Sequence, residues 1–224
     1  MATQSASTEV LSKHCDVILR VGTPQTERKL FVSSALLSHS SPVFAAMFDG
    51  RFGEGQDLSA DSPRAVPLPE DDADAVTTVC KIIHVQVAGL AVTASPTQLV
   101  SIAMVAHKYD CVEAVRPWSI IWVADILQKP GVPDFEKTLL ATCLLDMAPE
   151  FQGVSKSLIR DRSEVSISAI SNGEVFLSIP ILERVLKAQI QTQYNALATF
   201  DAIIPLFGCK ARTEDMAFFF KALL

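Results

Sequence analysis

Much is missing from this chain of 224 residues, and each absence narrows what it can be. No apolar run approaches the roughly 20 residues that a membrane-spanning helix needs. The start, MATQSASTEVLSKH, has neither the basic opening nor the apolar core of a secretory signal. The expectation is a soluble intracellular protein, cytoplasmic or nuclear, with no membrane partner. Lys and Arg number 19 against 25 Asp and Glu, for a net charge of −6. No basic stripe offsets that balance, because Arg160 and Arg162 flank Asp161. An acidic chain repels phosphate backbones, so direct nucleic-acid binding is not expected. There is no CxxC, and the five cysteines at 15, 80, 111, 143 and 209 are odd in number and irregularly spaced. They read as reduced thiols packed as small apolar groups. A Gly-x-Ser-x-Gly elbow is absent, and GRFGEG lacks the Lys-Ser/Thr ending of a phosphate loop. PEDDAD lacks the ligand order of a calcium loop and reads as an acidic helix start. Neither an internal repeat nor a low-complexity segment is present.

What remains is the composition of a globular protein, 49% hydrophobic. A chain of this size buries about 70% of its unfolded surface and needs no staples. Residues 1–14 are polar and read as a flexible N-terminus. In CDVILRV (15–21), Val17, Leu19 and Val21 share one face, and Asp16, Ile18 and Arg20 the other. That period of two predicts a strand. GTPQTER (22–28) is a turn, and KLFVS (29–33) resumes the strand pattern, so the pair reads as a hairpin.

FVSSALLSHSSPVFAAMF (31–48) then raises a question of continuity. Ser34–His39 forms a short helix carrying Leu36 and Leu37. Pro42 has no N–H to donate and forces Ser41 out of helical geometry. It is well placed at the first position of a new helix with Ser41 as N-cap. Val43, Phe44, Met47 and Phe48 give that second helix an apolar stripe. The two short helices are expected to wrap a small sheet through Phe31, Leu37 and Phe44.

DGRFGEGQDLSADSP (49–63) reads as a surface loop and AVPLPE (65–70) as a third strand. A helix follows from about Asp72. Its aspartates lie at the positive end, Lys81 and His84 at the negative end, and Val76, Val79, Cys80 and Ile83 on one face. VQVAGLAVTA is either loop or short strand. SPTQ (95–98) is a capping box opening a central helix, LVSIAMVAHKY. Asp110 and Glu113 repeat the cap logic for a helix carrying Val112, Val115, Trp118 and Trp122, kinked at Pro117. QKPGVPD (128–134) is the best internal boundary. Beyond it the pattern is mostly helical. Phe135, Leu139, Cys143 and Met147 form a row, Pro149 starts a further helix, and Pro180 opens a third with Leu182, Val185, Leu186 and Ile190 on one face. SEVSISAIS is either a strand or an extended loop, and MAFFFKALL is an apolar helix at the end.

CDVILRV…KLFVSSALLSHSSPVF resembles the BTB/POZ domain: Asp-Val, a hairpin, Phe-x-x-His-basic-x-x-Leu, a Ser, then a Phe opening a helix. Asp16, Val17, Phe31, Leu37, Ser40 or Ser41, and Phe44 match. VPLPEDDADAVTTVCKIIH resembles the family's strand and aspartate-led helix, and LVSIAMVAHKYDC its Ala-Asp-Lys-Tyr stretch, with Ala106, Lys108 and Tyr109 in place and His107 where Asp is common. The resemblance implies an α+β fold: a BTB/POZ domain over 15–127, with a small sheet flanked by helices, and an all-helical region over 134–224. It is nearest to fungal BTB proteins with a helical C-terminal extension. The implied family positions, structural or at an interface, are Asp16, Phe31, Ser34, Leu37, Ser40, Phe44, Met47, Phe48, His107 and Tyr109. Ser34-Ala35 replaces the family's His-basic pair. In BTB transcription factors that basic residue and an aspartate at the Asp16 position form a charged pocket linked to dimerisation. His84-Val85-Gln86 stands where the family often has Tyr-x-Gly, a neighbourhood used for docking on cullin-type ligase scaffolds.

The resemblance implies a non-catalytic module that binds other proteins or itself, with no cofactor. Alternatives are a substrate adaptor for a cullin-type ubiquitin ligase, a transcription-associated dimerisation module, and a small-molecule-binding or enzymatic helical half. Two i, i+4 pairs, Cys80/His84 and His107/Cys111, offer zinc a matching ligand set. The structural reading of each is preferred: Cys80 lies in an apolar row, and His84 at a helix end that favours positive charge. His39 neighbours serines in sequence only. Trp118 and Trp122 are expected to pack against the helical extension.

Overall fold

The computed structural model describes residues 7–23, 27–129, 131–161 and 191. Four strands form one sheet in the order β1-β3-β2-β4. They are β1 (Ser7–Val10), β2 (Val17–Val21), β3 (Arg28–Val32) and β4 (Arg64–Leu68). β2 and β3 are the antiparallel hairpin expected from their alternation, while β1 on β3 and β4 on β2 are parallel. β4 is an edge strand, which accommodates the missing N–H of Pro67. Val17, Leu19, Val21, Leu30 and Val32 are fully buried on one face of the sheet. Each such side chain contributes about 1.5–3 kcal/mol by leaving water.

β1 corrects the expectation of a flexible stretch over 1–14. Its residues are polar, yet they pair with Arg28–Phe31, and Leu11 and Cys15 behind them are buried. The gain is non-local: Leu11 N–H donates to Phe31 O at 2.9 Å, and Glu9 meets Lys81 at 2.6 Å.

The break at Pro42 is as the sequence predicts. α1 (Ser34–Ser40) stops at Ser41, which is extended, and α2 (Pro42–Phe48) starts with Pro42 at its first position. Ser41 Oγ accepts from Phe44 N–H at 3.0 Å and caps α2. Leu37 and Phe44 are buried, but Phe31 is only half-buried. It alternates with Leu30 and Val32, so it projects from the opposite face of the sheet rather than into the core.

α3 (Ala73–Ile83) is capped by Asp72, whose carboxylate accepts from Ala75 N–H at 2.7 Å. α4 (Pro96–Lys108) has the full capping box of Ser95 and Gln98, and the segment between α3 and α4 is loop, not strand. α5 (Val112–Gln128) runs through Pro117, and its N-cap is Cys111 rather than Asp110. Asp110 instead adopts φ 49° and ends α4, with Cys111 N–H bonded to Ala106 O at 2.9 Å. α6 (Glu136–Leu144) packs on α4. The Pro/Gly stretch at 128–134 is therefore a connection between helices of one compact unit, which runs to Phe151, and not a domain boundary. Of the expected row, Phe135, Leu139 and Met147 are buried and Cys143 is exposed.

α7 (Ala148–Asp161) has Pro149 in its first turn, as expected. The readings of SEVSISAIS, of the Pro180 helix and of the apolar C-terminus lie outside the described residues. No helix among the described residues is long and apolar enough to cross a membrane.

Candidate interaction surface

The family positions fall into an inner and an outer set. Phe44 stacks on Tyr109 with centroids 4.5 Å apart and planes within 6°, and on Phe48 at 5.9 Å. Ser41 Oγ donates to Tyr109 O, and Tyr109 Oη donates to Asp71 Oδ2 at 2.6 Å. Lys108 Nζ meets the other oxygen of that largely buried carboxylate at 2.7 Å. Burial, reinforced by Asp71, pushes the Tyr109 phenol well above its ordinary value. Tyr109 is thus a neutral fixture that ties the end of α4 to the start of α2. Leu37 lies in the same buried set.

Asp16, half-buried, faces the start of α1. Its carboxylate accepts Ser34 N–H at 2.8 Å and Ser34 Oγ at 2.5 Å. The N-cap residue Ser33 makes no side-chain cap bond, so Asp16 supplies one from the neighbouring strand. In place of an Asp–basic pocket, this chain has an Asp–Ser bond that fixes the β3–α1 corner.

On the outer side, α1 and α2 show Leu36, 40% exposed, and Val43, 37% exposed. Met47 and Ser40 are half-buried beside them in the sequence pattern, and His107 is exposed on α4. Leu36 and Val43 were not among the positions implied by the resemblance. Their signal was present in the sequence, because a short amphipathic helix with two adjacent leucines buries only one. Leu36 and Val43 thus leave apolar area exposed on α1 and α2, and α2 also carries Phe44 and Phe48 of the buried aromatic stack.

The zinc-compatible pairs do not converge. Cys80 and Cys111 are buried, and burial pushes each thiol up to about 12. His107 points away into solvent. His84 has both nitrogens engaged: Nδ1 lies 2.8 Å from Cys80 O, and Nε2 accepts from Ser33 N–H at 2.9 Å. Burial lowers its pKa, so it is not the charged helix-end residue expected from its position. Among the described residues, no group of three or more His, Cys, Asp or Glu could hold a metal ion. Trp122 is buried and donates Nε1–H to Ala91 O at 3.0 Å, which anchors the α3–α4 loop. Trp122 therefore has a partner inside the N-terminal unit. Trp122 also floors an open cleft of about 230 Å³ with Asp74, Thr78 and Ser101 in its wall.

The family model for the BTB/POZ domain matches residues 7–117. No curated protein matches the chain. The match begins at β1, the strand missing from the sequence reading, and ends within α5. Over residues 7–117 this chain is a BTB/POZ domain, a member of a family whose domains bind other proteins and self-associate.

Proposed function

We propose that this chain is an adaptor or self-associating scaffold without catalytic activity, of the fungal BTB type with a helical C-terminal extension. The observation that carries the reading is the α1–α2 surface. Leu36 and Val43 stand exposed on helices that Ser41, Phe44 and Tyr109 hold rigidly. Preorganised apolar surface on short fixed elements suits protein partners, because little ordering entropy is lost on contact. Affinity purification from source cells with mass spectrometry tests this. Wild-type chain is expected to retain defined partners that Leu36→Asp and Val43→Asp lose. A chain that is monomeric by light scattering at every concentration and captures no partner would overturn it.

One observation favours a second reading, a substrate adaptor for a cullin-type ligase. Val85, 77% exposed, stands directly after α3 on a hydrogen-bonded helix cap. A binding titration against a cullin N-terminal region, with Val85→Asp as the disrupting variant, separates the two readings.

A further inference from the structure

The open cleft at Trp122 carries a chemistry that the α1–α2 surface does not use. It lies between α3, α4 and the loop joining them, and holds about 230 Å³. Its base is apolar: Trp122 and Ile102 are buried, and Leu90 is half-buried. The indole is fixed, because its Nε1–H is engaged by Ala91 O. Asp72 and Asp74 stand in the wall, and no Lys, Arg or His lines it. Arg28 and Lys137 approach from outside, but each is paired, with Asp74 and with Asp134, so Asp72 is an uncompensated charge. That balance disfavours phosphates and carboxylates and selects a cation on an apolar stem.

The oxygens already in use narrow the choice of cation. Asp72 gives Oδ1 to Ala75 N–H, its capping bond, and Asp74 gives Oδ1 to Arg28 at 2.8 Å. Each carboxylate keeps one oxygen, Oδ2, with no partner among the described residues. A guanidinium fork is matched by both oxygens of one carboxylate, and neither acid has both free. An ammonium has three separately directed donors and takes single oxygens from different groups. Ser101, half-buried on α4, offers a third acceptor, since its hydroxyl has no hydrogen-bond partner among the described residues.

We propose that the cleft takes a lysine side chain of a partner protein. The proposal rests on the interaction reading and gives it a second surface, apart from α1 and α2. The ammonium is held by Asp72 Oδ2, Asp74 Oδ2 and Ser101 Oγ, and the four-carbon stem lies on Trp122, Ile102 and Leu90. The rim favours a peptide over a free amine. Val92, 66% exposed, stands between the cleft residues Ala91 and Thr93, and residues 85–94 include no charge. A free amine leaves that apolar rim in water, whereas a residue beside the lysine covers it. The volume falls below the roughly 300–1,000 Å³ of drug-sized sites, which suits one side chain. The Asp74 side chain is 87% exposed, so its ion pair adds little, and the dissociation constant is on the order of 1 mM.

Titration of the full chain with the capped peptide Gly-Val-Lys-Val-Gly tests this, beside its Nε-acetyl-lysine and arginine counterparts. The readout is the indole N–H resonance of Trp122, assigned with Trp118→Phe. The lysyl peptide should shift it saturably, and acetylation, which removes the charge, should weaken binding about tenfold. Asp72→Asn loses the charge but still caps α3, so it should weaken binding about threefold with an unchanged thermal melt. Ser101→Phe, which fills the cleft, should abolish the shift in a chain that still melts cooperatively. Equal binding of the acetylated peptide, or tighter binding of the arginine peptide, overturns the assignment. So does n-butylamine binding as strongly as the lysyl peptide, which would give the cleft to free amines. The lack of any saturable shift up to about 10 mM peptide also overturns it. Partners still captured through Leu36 and Val43 would then leave the interaction reading standing, while a chain that captures no partner overturns both.

Discussion

His84 Nε2 accepts the backbone N–H of Ser33 at 2.9 Å, joining the end of α3 to the corner where β3 becomes α1. The same ring closes on Cys80 O through Nδ1 at 2.8 Å, which fixes the tautomer with the proton on Nδ1. The imidazole is 6% exposed and satisfied at both nitrogens. It staples the helix that packs on the sheet to the first of the two short helices that carry the outer surface.

Removing the staple leaves Ser33 N–H without its acceptor. His84→Ala should cost about 2–4 kcal/mol, from two lost hydrogen bonds and a small cavity, measured by urea unfolding near neutral pH. The pH dependence follows from the lowered pKa. Above about pH 6.5 the ring is neutral in both the folded and unfolded states and adds no slope. Below it, the unfolded chain takes up a proton that the folded chain refuses. Stability should therefore fall as pH drops from about 6.5 and level off once the folded pKa is passed. In His84→Gln this limb should flatten; a wild-type limb that persists there would assign the slope to other groups.

Asp16 caps α1 from outside the helix. Asp16→Ala should lower stability by about 1–2 kcal/mol, the usual cost of losing a cap carboxylate. Asp16→Asn should keep part of this, since its amide oxygen still accepts from Ser34 N–H. Chemical denaturation of the three proteins gives the order directly. Equal loss in both variants would show that charge, rather than hydrogen bonding, holds the corner.

Val85 occupies the left-handed region, with φ 57°, at the end of α3. Gln86 N–H bonds to Lys81 O at 2.8 Å and Val85 N–H to Ile82 O at 3.0 Å, so the cap has the Schellman pattern with a β-branched residue where glycine is favoured. A left-handed conformation costs an L-residue roughly 1–2 kcal/mol, partly offset by the greater backbone entropy of an unfolded glycine. Val85→Gly should raise stability by about 1 kcal/mol and Tm by about 2–4 °C in a chain of this size. A lower Tm would mean that Val85 makes a contact its exposure does not reveal.

Local signals are legible in the sequence, and non-local ones are not. Pro42, the Ser95–Gln98 capping box and the β2–β3 alternation each act within a few residues, so the chain announces them. β1 is STEV, whose composition says nothing of a strand until Arg28–Phe31 offers it hydrogen bonds. Asp110 looked like a helix start because aspartate caps well, but it also tolerates the left-handed region and here ends α4. The Pro/Gly stretch at 128–134 marks a turn correctly; whether a turn is also a domain boundary depends on what packs across it, and α6 packs back onto α4. Among the family positions, Phe44 and Tyr109 are both matched residues, but they lie 65 apart in sequence and only the fold shows that they stack. At His84 two influences conflict: its place at a helix end favours charge, while burial and two bonds to the backbone favour neutrality, and the second prevails.

Thr138 carries the last prediction. It sits fully buried in α6, and its Oγ1 has no hydrogen-bond partner among the described residues. A hydroxyl taken from water without a replacement bond costs about 1–3 kcal/mol by mutational measures. Valine has the same shape and no such group to desolvate. Replacing a satisfied threonine usually destabilises, because a bond is lost with the hydroxyl. Here none is lost, so the sign should reverse: Thr138→Val is expected to stabilise the fold by about 1 kcal/mol in urea unfolding. Thr142→Val, four residues on in the same helix, is the control, since its Oγ1 donates to Leu139 O at 2.9 Å. That variant should gain less than Thr138→Val or lose stability outright. Destabilisation by Thr138→Val would place a bound water or an unseen acceptor at its hydroxyl.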